Sequence, residues 1–331
     1  MIKLRRLRYT ALASSVMLIM HCFSVTAQDV PEVFTPLPFE MRTDPVLQVA
    51  SYYNALNLAD YERAYSYWET PPDDASFETF SAGFADTIYI SGLTRLPVYT
   101  DAGAGNIFAS VPVLLTSVHA DNSRNYFAGC ITTHKVNVPE GDATEPDPNW
   151  RLRSAEIAPV ETFDIAHLDG LCEQMGTLAD FPENHTSPIN LLTSYYGAVA
   201  SGIAPADLST YWSDPTFSAD LEPYIQNFNT PDLEVTVRLD LISAQDVETS
   251  MVALPALVEG AIELEGQTGV GSYGGCYYVV MTDSLATSDV SEWVFVNAYL
   301  SSIEEQIANG PDITSPNDMP LGFLQDACAM G

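Results

Sequence analysis

Hydrophobic positions along this chain follow two regimes that alternate twice. Val46, Val49, Ala50, Tyr53 and Leu56 fall on one face at helical spacing, directly behind Asp44-Pro45. A capping carboxylate before a Pro at the first helical position is a helix start. A short helix led by Asp60 and ending near Trp68 follows. A third begins at Ser76, with Phe77, Phe80 and Phe84 on one side. From Thr87 the pattern becomes extended, and 87–99, 107–119, 126–138 and 150–160 read as four strands. Turn residues such as Asp101-Ala102-Gly103 and Asp121-Asn122-Ser123 separate them. The order then restarts. Ser187-Pro188 opens a helix, and strands are expected near 233–243, 248–262, 271–282 and 293–302.

The restart is a duplication. Ser51-Tyr52-Tyr53-Asn54-Ala55-Leu56 recurs 143 residues later as Ser194-Tyr195-Tyr196-Gly197-Ala198-Val199. Pro45 maps to Pro188, Val111-Pro112-Val113 to Leu254-Pro255-Ala256 and Trp150 to Trp293 at the same offset. Tyr67-Trp68 and Phe84 recur as Tyr211-Trp212 and Phe228 at 144, and Cys130 as Cys276 at 146. Matches in order near one offset describe a copied unit of about 140 residues, far too long a period for a solenoid. Pro112 and Pro255 hold the same place in the second strand of each copy. A Pro inside a strand needs an edge or a bulge, so a bend is expected there.

Charge narrows the partners. The chain has 331 residues, Lys+Arg 12 against Asp+Glu 44, and net charge −32. Lys3, Arg5, Arg6 and Arg8 lie in the first ten residues, which leaves eight bases against 44 acids elsewhere. Such a chain repels phosphate backbones and anionic membrane surfaces, so no nucleic-acid partner is expected. At 47% apolar residues it nevertheless builds real cores.

The basic start, the apolar run Ala11–Phe23 and Val25-Thr26-Ala27 read as a secretory signal over 1–27, cleaved after Ala27. An extracytoplasmic, periplasmic or secreted protein is implied, with no membrane insertion after cleavage. A lipid anchor on Cys22 is disfavoured, because His21 stands where that cleavage site wants a small residue. The remaining Cys130, Cys172, Cys276 and Cys328 suggest two disulfides in an oxidising compartment. Each copy holds one cysteine in a late strand and one near its end, so the repeat selects Cys130–Cys172 and Cys276–Cys328.

Tyr-Tyr-x-Ala-(Leu/Val), the Asp-led helix ending in Tyr-Trp, Ser76-Phe77 to Thr87 and Val111-Pro112-Val113 together resemble the nuclear transport factor 2-like superfamily. That resemblance, closest to exported bacterial members, covers residues 45–160 well and the second copy more loosely. It implies an α+β fold of two tandem cones, each with three N-terminal helices on a curved four-stranded antiparallel sheet. The expected organisation is a signal at 1–27, an extended lead-in at 28–43, a first domain at 44–174, a linker at 175–187 and a second domain at 188–331. Such cones pair through their sheets, which implies an internal pseudo-dimer.

The superfamily contains isomerases, cyclases and dehydratases as well as domains without activity, so the fold alone assigns no reaction. By analogy with its enzymes, the weak catalytic candidate is Asp86 with Tyr53 or Tyr65 as donor, in the first copy alone. Candidate pocket residues are Tyr53, Tyr65, Trp68, Tyr196 and Trp212, although helix-to-sheet packing also accounts for an aromatic set at this spacing. Zinc spacings such as HxH, HExxH and CxxC are absent, the acidic loop Glu140–Asn149 lacks a calcium ladder, and no phosphate cradle is present. No cofactor or metal is therefore expected. The reading is an exported, non-enzymatic module that binds a small ligand or a protein. Its alternatives are an isomerase- or dehydratase-type enzyme and an accessory domain of a cell-envelope assembly.

Overall fold

The computed structural model describes residues 36–139, 144–178, 185–203, 205–214, 216, 233–246, 251–264, 267–282, 292–302 and 328. The expected leader at 1–27, Cys22, residues 28–35 of the lead-in and 179–184 of the linker lie outside them. So do 140–143 of the acidic loop and the stretch 217–232, where a third helix of the second copy was expected.

Helix α1 (Pro45–Asn57) starts where the capping pattern places it: Asp44 Oδ1 accepts from the Val46 and Leu47 amides at 2.8 and 3.3 Å. Helices α2 (Tyr61–Ser66) and α3 (Phe77–Ala82) follow, capped by Asp60 and Ser76. Five strands come next: β1 (Thr87–Leu96), β2 (Tyr99–Gly103), β3 (Asn106–His119), β4 (Arg124–Val136) and β5 (Arg151–Val160). A two-residue β6 (Thr177–Leu178) precedes the second copy. There α4 (Pro188–Ala200) is capped by Ser187 and leads to β7 (Glu234–Arg238), β8 (Ser243–Asp246), β9 (Met251–Leu264), β10 (Gln267–Thr282) and β11 (Glu292–Ser302).

The two expected cones, each with its own four-stranded sheet and three helices, are not what the chain builds. Among the described residues one antiparallel sheet of eleven strands runs through both copies, in the order β11-β10-β9-β7-β1-β3-β2-β6, with β4 between β3 and β5 and with β8 on β9. The joint is β1 against β7: Leu93 faces Arg238, Thr94 faces Val237, Arg95 faces Thr236 and Leu96 faces Val235. An unpaired strand edge exposes a row of N–H and C=O groups, and each edge here satisfies the other. The helices differ as well. Where the first copy has α2, the second has a 3-10 segment, Pro205–Tyr211. Pro205, Asp207, Ser209 and Thr210 are poor helix-interior residues and favour turns. Buried side chains of both copies, such as Val46, Leu47 and Val111 with Leu191, Leu192 and Leu254, form one cluster.

Repetition survives inside this single sheet. Trp68 bridges to Leu152 as Trp212 bridges to Phe295. The Trp150 amide donates to the Arg42 carbonyl at 2.7 Å, and the Trp293 amide to that of His185 at 2.9 Å. Across the joint, Thr94 faces Val237, its own counterpart 143 residues on. Pro112 and Pro255 sit at matching breaks in the ladder. β1 pairs β3 only as far as Leu114, and β2 resumes at Ser110, so the missing Pro112 N–H falls in the gap. In the second copy the gap lies between Ala256 and Ala253.

Gly129 and Gly275 hold equivalent close approaches. A Cβ on Gly129 would lie 2.0 Å from the Glu156 carbonyl oxygen, and one on Gly275 1.8 Å from that of Tyr299. Gly129→Ala and Gly275→Ala are each expected to lower stability by about 1–3 kcal/mol, because a neighbouring strand must move. Urea midpoints test this, and an unchanged midpoint rejects it.

Cys130 is bonded to Cys172 and Cys276 to Cys328, with Cα–Cα distances of 5.9 and 5.1 Å. The first bond draws the segment after β5 towards β4, where Leu168 packs with Leu93, Leu114 and Ala128. With a separation of 42 residues it contributes about 4 kcal/mol in the chain-entropy model. Cys130→Ser with Cys172→Ser is expected to lose about that much, read as the urea midpoint without reductant; a loss below about 1 kcal/mol would sink the estimate.

The caps of α1 and α4 meet: the Ser187 hydroxyl donates to Asp44 Oδ2 at 2.6 Å. Burial raises the Asp44 carboxyl above its usual range, while the hydrogen bond from Ser187 pulls it down. The folded state therefore keeps a proton that the unfolded chain releases from about pH 4 upward, so this group's contribution to stability falls as pH rises through that window. Asp44→Asn retains a capping oxygen and is expected to flatten that slope in urea midpoints between about pH 3 and pH 7. An unaltered slope would assign it elsewhere.

Candidate functional site

The first copy holds a hollow of about 320 Å³ between α1, the segment 68–87 and one face of β1, β3, β4 and β5. Its walls are aromatic and aliphatic because each element turns its apolar face inward. Tyr52, Tyr53 and Leu56 come from one face of α1, Trp68 from the end of α2 and Phe84 from the turn after α3. Ile90, Leu115, Phe127, Ile131 and Ile157 come from the strands. Tyr52 stands edge-on to Trp68, with ring centroids 5.7 Å apart. Burial pushes the phenols of Tyr52 and Tyr53 well above their ordinary range, so both remain protonated donors.

The polar corner of the hollow holds Asp86, Ser117 and His119. Asp86 ends the turn before β1, and its carbonyl accepts from the Ala120 amide at 2.9 Å, which ties it to the β3–β4 hairpin. His119 Nε2 lies 3.0 Å from Ser117 Oγ and 2.9 Å from Asn125 Nδ2. Asn125 is Ser117's direct partner in the ladder. His119 Nδ1 lies 3.4 Å from Asp86 Oδ2.

Of the residues expected from sequence, Asp86, Tyr53 and Trp68 therefore share one pocket. Tyr65 does not line it: its hydroxyl donates to the Ala75 carbonyl at 3.0 Å, and its ring packs on Phe77 and Phe80. The Asp86 side chain is 76% exposed, so it sits at the mouth of the hollow and not within it. Sequence reasoning did not single out His119, Ser117 and Asn125 as one group. The short Asp121-Asn122-Ser123 turn was the available signal, because it folds 125 back opposite 117.

Among the described residues of the second copy, Tyr277 takes the matching place. Register fixes the correspondence: Ile131 faces Val111, and Tyr277 faces Leu254, the residue that matches Val111. Tyr277 thus stands where Ile131 lines the hollow. Its hydroxyl is hydrogen-bonded to that of Tyr196, the counterpart of Tyr53, and the two rings are perpendicular with centroids 6.1 Å apart. Phe295 closes the space from β11, 5.5 Å from Tyr277 and 4.9 Å from Trp212. Tyr196 and Trp212, the pocket candidates of the second copy, are 2% and 4% exposed, against 4% and 6% for Tyr53 and Trp68.

Among the described residues no group of three or more His, Cys, Asp or Glu is placed to hold a metal ion, and no helix is long and apolar enough to cross a membrane. No family model, no curated protein and no solved structure matches the chain.

Proposed function

We propose that this is an exported binding module whose first copy holds a small, largely apolar molecule, while its second copy serves as a filled structural partner. The observation that carries this reading is the contrast between two equivalent places in one sheet. An aromatic-walled hollow of about 320 Å³ opens beside Ile131, whereas among the described residues of the second copy Tyr277 stands at that place, hydrogen-bonded to Tyr196. Interiors close-pack where nothing has to enter, so a hollow left in one copy of a duplicated unit is a functional feature of that copy.

Export with cleavage after Ala27 belongs to the same reading and is supported by the two disulfides, which persist in oxidising compartments. Edman sequencing of the mature protein tests it, with Gln28 expected first; an intact N-terminus rejects it. An internal pseudo-dimer is supported by the β1–β7 register, in which counterpart residues meet as in an isologous interface. Kinship with the nuclear transport factor 2-like family is supported by the motifs of the first copy alone, and the two-cone arrangement is not carried over.

The experiment is a titration of the mature protein with a neutral, environment-sensitive dye such as N-phenyl-1-naphthylamine, with the change in tryptophan emission compared between the parent and Trp68→Phe. Saturable binding of one dye per chain is expected. Absence of saturable binding overturns the reading.

A further inference from the structure

We propose that the hollow takes an uncharged molecule with an apolar, ring-bearing body and a single hydroxyl, an alcohol or a phenol, and that His119 and Asp86 together read that hydroxyl. The inference rests on the pocket reading above and adds the chemical class. It starts from the imidazole. An amide Nδ2 only donates, so His119 Nε2, 2.9 Å from Asn125 Nδ2, is an acceptor and the ring proton sits on Nδ1. That Nδ1 is buried and makes no hydrogen bond. Asp86 Oδ2 lies 3.4 Å from it, too far for a good N–H···O contact. The polar corner therefore presents one unused donor beside one carboxylate acceptor.

Head groups can be ranked against that pair. A carboxylate suits Nδ1–H but stands against the Asp86 charge, and the net charge of −32 repels it further. An ammonium suits Asp86 but turns its own N–H groups towards the Nδ1–H. A ketone or an ether accepts from His119 and offers Asp86 nothing. A hydroxyl accepts from Nδ1–H and donates to Oδ2 at once, because an oxygen seated beside two atoms 3.4 Å apart can lie about 2.8 Å from each. The body is set by Tyr53, Trp68, Phe84 and Phe127, and no Lys or Arg lines the hollow.

The test compares three probes of one shape on the intact mature protein in about 0.15 M salt, where long-range surface charge is screened. They are 2-naphthol, 2-methoxynaphthalene and 2-naphthoate. Naphthol is expected to bind roughly tenfold more tightly than the methyl ether, the worth of one charge-assisted hydrogen bond, and naphthoate more weakly than either. In Asp86→Ala the naphthol-to-ether ratio is expected to fall to about one, with the ether's affinity unchanged. Naphthol binding no more tightly than the ether, naphthoate binding as tightly as naphthol, or a ratio that persists in Asp86→Ala overturns the hydroxyl assignment. If the ether still binds and is expelled by Ile131→Tyr, the pocket itself stands. If no probe binds, both readings fall together.

Discussion

Replacing Asp240 by Ala is expected to cost about 3–5 kcal/mol, read as a fall in the urea midpoint. The carboxylate is 2% exposed and faces Arg238, itself 4% exposed, with contacts of 3.0–3.2 Å from Nε and Nη2. It also accepts from the Tyr89 hydroxyl at 2.7 Å and the Gly92 amide at 2.9 Å, both in β1 of the other copy. Burial, and then the charge of Asp240, hold the Tyr89 phenol far above its ordinary range, so it remains a donor. Removing Asp240 strips Arg238 of this counter-charge and leaves two further donors behind. Arg238→Met combined with Asp240→Ala is therefore expected to cost less than the two single changes added, by at least about 1 kcal/mol. Arg95 supplies an internal control, because it occupies the position matching Arg238 in the other copy. Its partners Asp169 and Glu234 are 59% and 46% exposed, and Arg95→Met is expected to lose about 1 kcal/mol or less. Equal losses at the two arginines would show that the joint is not held by its buried pair.

That joint is also where the sequence was least informative. Asp44-Pro45 and Ser187-Pro188 announce two helices because caps are local: side chain and amide lie within three residues of each other. The strands announce themselves through apolar runs and turns, and the copied cysteines give the sulfur bonds. The β1–β7 ladder has no such marker. Its bonds are between backbone groups of residues about 140 apart, and Thr94-Arg95-Leu96 would read the same on a free edge. One cue existed in the buried Arg238–Asp240 pair, but a charge pair two residues apart is indistinguishable from surface until its burial is known. The hollow was half legible. Tyr53, Trp68 and Asp86 could be named from the motif, but His119 enters through a hairpin partner, Asn125. The filling of the second copy was hidden by a shift. The offset between copies grows from 143 in β3 to 146 in β4, which carries Tyr277, and not the residue 143 positions on, to the place of Ile131; it is 143 again at Trp150 and Trp293.

Ile131→Tyr is accordingly expected to close the hollow and weaken the binding of a neutral apolar probe by roughly 100-fold or more, about 2.7 kcal/mol. A tyrosine inserted into a packed core usually costs about 1–3 kcal/mol through strain. Here the added ring has about 320 Å³ to enter, and the second copy shows the same side chain seated against Tyr196 and Phe295, the counterparts of Tyr53 and Leu152. The variant should therefore keep its urea midpoint to within about 1 kcal/mol while losing the probe. The two readouts separate a filled pocket from a broken fold. The reverse change runs the other way. Tyr277→Ile removes a wholly buried ring and leaves the Tyr196 hydroxyl without its partner, so it is expected to cost about 3–5 kcal/mol. Tyr277→Phe keeps the ring and loses only the hydroxyl contact, for about 1–3 kcal/mol. Undiminished probe binding in Ile131→Tyr would put the ligand elsewhere. A Tyr277→Ile variant as stable as the parent would mean that Tyr277 is not what fills the second copy.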